Sequence, residues 1–97
     1  MRVVEFRNAE IVNSKGLHAR ASAKLAKLAL TLPAEVQIKH QNEIADARSI
    51  MDLLCLGAAC GQTVEVHAEG EGAEQSVRAV LDLIEAGFGE LEDDAAA

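Results

Sequence analysis

Ninety-seven residues with 49% hydrophobic content are enough for one domain with a single two-layer core. Two phenylalanines and no Trp or Tyr mean that the core is built from Leu, Ile, Val and Ala, and that a sheet surface stacking on RNA bases is excluded. The net charge of -7 is unevenly spread: residues 1–48 hold eight Lys or Arg against five acids, and residues 49–97 hold one against eleven, a field that disfavours a nucleic-acid partner and suits an acidic protein on the basic face.

From Glu5 to Val12 the residues are β-compatible, with Ala9 and Ile11 on one side and Asn8 and Glu10 on the other, which predicts a strand. Ser14, Lys15 and Gly16 break the pattern, and Gly16 is free to take a positive φ. A helix follows. Ala21, Leu25, Leu28 and Leu32 recur at gaps of four, three and four and define its inner face, with Ser22, Lys24, Lys27 and Thr31 turned away. Pro33 ends it near Thr31.

Val36 and Ile38 alternate with polar residues and predict a second strand, and Glu43-Ile44-Ala45 completes a short hairpin through Gln41-Asn42. Ser49, with Asp52 three residues on, reads as the N-cap of a helix that stops at Gly57. Val64, Val66 and Ala68 point inward from a fourth strand, with Thr63, Glu65 and His67 outward. After the Gly70 and Gly72 turn, Ala73, Val77, Val80, Leu81 and Ile84 share one face of a last helix ending at Gly87. The order βαββαβα with half-polar strands predicts an α/β two-layer (α+β) domain, a four-stranded antiparallel sheet with its helices on one face. Periodicity alone leaves open whether the strand order is ferredoxin-like.

The chain reads as one domain over 1–97, with an acidic and alanine-rich tail from Glu90 to Ala97 expected to fray and to have no function of its own. Cys55 and Cys60 fit neither a zinc knuckle nor a redox pair and are expected as buried free thiols. No signal peptide or bilayer-length apolar run is visible, so a cytoplasmic location, no membrane and reduced cysteines are expected. His40 and His67 fall on the polar side or end of strands, with no second ligand at metal spacing.

The chemistry concentrates between Asn13 and Ala21, where a strand-to-helix loop brings His18 and Arg20 to a helix start. First-turn amides lack intrahelical partners and lie at the positive end of the helix dipole, so Ala19, Arg20 and Ala21 can hold an anion there. A neutral imidazole can attack phosphorus with one nitrogen while the other is held, and the Arg20 fork matches phosphate oxygens. An ordinary N-cap histidine is the plain alternative.

Gly16-Leu17-His18-Ala19-Arg20, followed by Ala21-Ser22-Ala23, resembles the active-site signature of the HPr phosphocarrier family of the bacterial phosphotransferase system, including its nitrogen-related branch, NPr. The resemblance continues at Arg48-Ser49-Ile50-Met51, Leu56-Gly57 and Glu69-Gly70-Glu71-Gly72, and so covers nearly the whole chain. One departure is Ala21, where the family commonly has proline. The resemblance implies the sheet order one, four, two, three. It also implies that His18 accepts a phosphoryl group on Nδ1 from enzyme I, which draws it from phosphoenolpyruvate, that Arg20 stabilises it, and that an enzyme IIA-type protein takes it onward in a sugar or nitrogen-related relay. Such a protein is a carrier rather than a turnover catalyst and needs no cofactor or metal.

Leu17, Lys24, Lys27, Met51 and Leu54 are candidates for the partner surface, although some of the apolar ones must fill the core. Ser49 matches the serine that a dedicated kinase phosphorylates in some members, and a plain cap explains it equally well. The expected state is a monomer without nucleic-acid or membrane partners. Two other readings differ in class. One is a regulatory protein that binds partners according to its phosphorylation state. The other is a small acylphosphatase-like hydrolase, which would need Asn13 or Asn42 to orient water, and neither lies in a motif for that role.

Overall fold

The computed structural model describes residues 4–91. Its order is β1 (Val4–Glu10), α1 (Ala19–Ala29), β2 (Val36–His40), β3 (Glu43–Asp46), α2 (Ile50–Leu56), β4 (Thr63–Glu69) and α3 (Ala73–Glu85), with a short 3₁₀ turn at Gly87–Gly89. The strands form one antiparallel sheet in the order β1-β4-β2-β3, so β4 lies between β1 and β2, with Ala9 opposite Val64 and Ile38 opposite Val66. The ferredoxin-like alternative is thereby removed. The three helices pack together against the sheet, burying Ile11, Leu25, Ile38, Leu53, Val66 and Val80. Along β4 the alternation follows the sequence pattern, with Val64, Val66 and Ala68 inside and Thr63, Glu65 and His67 toward solvent.

β1 leaves the ladder at Glu10, two residues before the expected end, yet Ile11 remains paired because its N–H donates to Gln62 and its carbonyl accepts from Gly61. α1 likewise ends early, at Ala29, and its last turn tightens into three-residue bonds from Thr31 to Leu28 and from Leu32 to Ala29. Ser22 is not turned outward as its polarity suggested. It is fully buried, and its hydroxyl donates to the Leu17 carbonyl at 3.3 Å, which satisfies it inside the core.

The cysteines also depart from expectation: both are free and both are exposed. α2 has only seven residues and buries just Leu53 and Leu56, so Cys55 falls on its outer side, while Cys60 sits in the turn before β4. The α2 caps follow the sequence, with the Ser49 hydroxyl accepting the Asp52 N–H at 3.2 Å and Gly57 in the left-handed region.

Candidate functional site

The loop between β1 and α1 is held from beneath. Gly16 takes φ +63°, and a Cβ there would stand 2.4 Å from the Ala58 carbonyl oxygen, so this close approach requires glycine. Leu17 then turns inward, its N–H donating to Ala58 at 3.0 Å and its side chain filling the core. That removes Leu17 from the expected partner surface, because the loop needs it as its apolar anchor.

His18 is the N-cap residue of α1, with extended backbone, and its side chain caps nothing. The first helical bond runs from the Ser22 N–H to the His18 carbonyl, so the amides of Ala19, Arg20 and Ala21 have no intrahelical acceptor. The imidazole points elsewhere. Nε2 lies 2.8 Å from Oε2 and 3.1 Å from Oε1 of Glu90, and Nδ1 has no hydrogen-bond partner among the described residues. An ionised carboxylate only accepts, so Nε2 carries the proton and, in the neutral ring, Nδ1 holds the lone pair. Arg20 is half exposed, with Nε 3.4 Å from Glu90 Oε2.

Glu90 corrects the reading of the C-terminal stretch as a functionless tail from that residue on. It is only 3% exposed and is gripped by His18, Arg20 and Asn13. Residues 92–97 lie outside the described residues. Burial pushes the Glu90 carboxyl up, but hydrogen bonds from His18 and Asn13, with the charges of His18 and Arg20, outweigh it and hold the group below the ordinary carboxylate value.

The chain reaches this point through an unusual turn: Gly87, Phe88 and Gly89 all have positive φ, at 64°, 56° and 76°. Phe88 tolerates that conformation while fully buried, and Lys24 Nζ donates to its carbonyl at 2.7 Å. Lys24 therefore ties down this turn, whereas Lys27 projects from the exposed side of α1. A large apolar residue between glycines, just past a helix stop, was the sequence signal that the chain folds back here.

Of the other expected site residues, Met51 is 68% exposed and Leu54 half-buried on α2, which packs beside α1. Ser49 acts as a cap, as described. His40 donates from Nδ1 to the Leu56 carbonyl at 3.0 Å, and His67 lies against Phe6 on the open sheet face, so neither joins the site. Among the described residues no group of three or more His, Cys, Asp or Glu could hold a metal ion, and no helix is long and apolar enough to cross a membrane.

A histidine held by one ring nitrogen thus stands at a helix start with no side-chain cap, and an arginine lies alongside. Comparison with known proteins gives the family. A family model described as "PTS HPr component phosphorylation site" matches residues 6–86. The phosphocarrier protein HPr of Cupriavidus necator is 41% identical over 86 residues, 89% of this chain and 97% of that protein. The phosphocarrier protein NPr of Shewanella violacea is 38% identical over 84 residues, covering 87% and 92%. The crystal structure of an HPr from Thermoanaerobacter tengcongensis superposes with a TM-score of 0.83 at 36% identity, covering 89% of this chain and 97% of that one. The chain belongs to the HPr family of phosphotransferase-system phosphocarrier proteins. Glu90 lies beyond the residues that the family model matches.

Proposed function

We propose that His18 is the phosphoryl acceptor and that Nδ1 is the nucleophile. The observation that carries this reading is the grip of Glu90 on Nε2, which orients the ring and leaves the lone pair at Nδ1. Nδ1 attacks phosphorus as the bond from phosphorus to the donor breaks, and the reverse step passes the group on. The donor is enzyme I, loaded from phosphoenolpyruvate, and the acceptor is an enzyme IIA-type protein in a sugar or nitrogen-related relay. The protein works as a cytoplasmic monomer and is a carrier, restored only when its partner takes the group.

The amides of Ala19, Arg20 and Ala21 and the Arg20 guanidinium offer charge-assisted donors to the phosphoryl oxygens. Arg20 has to divide its attention, because Glu90 engages Nε before the phosphate arrives. Met51, Leu54 and Lys27 supply an apolar and basic surface near the site for partner docking. A kinase acting on Ser49 would have to displace its hydroxyl from the Asp52 N–H and place phosphate beside the Asp52 carboxylate.

The test is intact mass after incubation with phosphoenolpyruvate and catalytic enzyme I. The expected gain is one phosphate, about 80 Da, lost in mild acid as a phosphorus–nitrogen bond should be, and absent in a folded His18→Ala variant. Labelling retained in His18→Ala would sink the assignment. An unmodified wild-type chain would send the question to a nitrogen-pathway donor.

A further inference from the structure

Asn13 is fully buried at the floor of the site, and its position is set by what its amide touches. Nδ2 donates to the Gly16 carbonyl at 2.9 Å and to Glu90 Oε1 at 3.1 Å. Both partners are acceptors, so the amide orientation is fixed by chemistry: the flipped group would set its oxygen against a carbonyl and a carboxylate. Oδ1 meets no donor among the described residues, so the side chain works through its NH2 group. Asn13 thus ties the Gly16 carbonyl, in the loop carrying His18, to the carboxylate that grips His18.

We propose that Asn13 is a positioning residue for the phosphoryl acceptor, acting through Glu90. Without a second hydrogen bond, a carboxylate reaching the imidazole from beyond the Gly87–Gly89 turn would be free to rotate away or to engage Arg20 alone. The Asn13 amide holds Oε1 at the same time as it holds Gly16, so the carboxylate stays in register with the histidine loop. Glu90 then keeps the proton on Nε2, and Nδ1 remains the lone-pair nitrogen. The aspect of the site that decides which nitrogen reacts is therefore fixed two contacts away from the reacting atom. This inference rests on the phosphocarrier reading for its consequence and on the side-chain geometry for its substance.

The deciding experiment measures the His18 tautomer in the unphosphorylated protein from its ring ¹⁵N shifts, alongside the initial rate of phosphorylation by enzyme I. Asn13→Leu keeps the branched shape and removes the donors. The expected result is a fall in the Nε2–H tautomer share and a rate about tenfold lower, in a protein with wild-type circular dichroism. In a Glu90→Ala background the same substitution should change the rate less than about twofold, since the residue it acts through is gone.

An unchanged tautomer, or an equal loss in both backgrounds, would overturn the proposal. Should Asn13→Leu fail to fold, a chain that keeps Asn13 still decides: the Asn13 side-chain amide resonances should shift and exchange faster in Glu90→Gln than in wild type, and constant resonances would reject the coupling. A wild-type protein that takes no phosphate from either enzyme I or a nitrogen-pathway donor would defeat the function proposed above, while the tautomer measurement would still decide the role of Asn13.

Discussion

Glu90 is a charged group in a place that opposes its charge, and its neighbours win. Because the carboxyl is held lower in the folded chain than in the unfolded one, its contribution to stability is complete above the unfolded carboxylate value, about 4.3. That contribution is lost as pH falls through the lower folded value. Glu90→Gln should therefore destabilise the protein by roughly 1–3 kcal/mol at pH 7, a drop of about 5–15 °C in Tm, and the gap to wild type should be smaller at about pH 3. Thermal melts followed at 222 nm at the two pH values check this, and a gap independent of pH would show that packing rather than charge holds the residue. On the function proposed above, Arg20 acts on the transferred group instead of the fold. Arg20→Ala should slow phosphorylation roughly 10²-fold without abolishing it, and an unchanged rate would remove it from the site.

At the scale of the elements, the beginning of α1 is where sequence and function meet. The amide of Ala21 has no intrahelical acceptor, so a proline there costs the helix no hydrogen bond. Ala21→Pro should leave Tm within about 5 °C of wild type, while removing one donor from the anion site should slow phosphorylation measurably. A collapse in Tm would mean that the buried position cannot take the ring.

The strands and helices were legible because their apolar spacing is regular, and Ser49, Gly57 and Pro33 marked their ends. Elements with thin cores were read less well. α2 buries two residues out of seven, so its pattern could not say that Cys55 faces outward. Ser22 looked polar and therefore external, yet a hydroxyl bonded to a nearby carbonyl can be buried at little cost.

Across the whole molecule, His18 and Arg20 were visible in the chain because their motif is local, whereas Glu90 was not. Its link to Asn13 spans 77 positions, and one acid among several in an acidic stretch carries no mark of its partner. Only Phe88 between two glycines hinted that the chain turns back into the core. The same long-range fit makes the site sensitive to its floor. In Gly16→Ala the new Cβ would press on the Ala58 carbonyl at 2.4 Å while φ is +63°, so we expect a loss of roughly 3 kcal/mol in urea unfolding and slower phosphoryl uptake. Full stability in that variant would show that the 58–62 turn can move aside.

The left-handed turn at Gly87–Gly89 also has a consequence for biosynthesis. The loop bearing the histidine leaves the ribosome early, but the carboxylate that orients its ring is supplied some seventy residues later. A nascent chain can pair some of its strands before that moment, yet it holds an imidazole whose proton is not assigned to either nitrogen. On the function proposed above, a ring held for attack through Nδ1 is complete only once the final turn has emerged, and a chain cut short before Glu90 should take up phosphate more slowly than the full one.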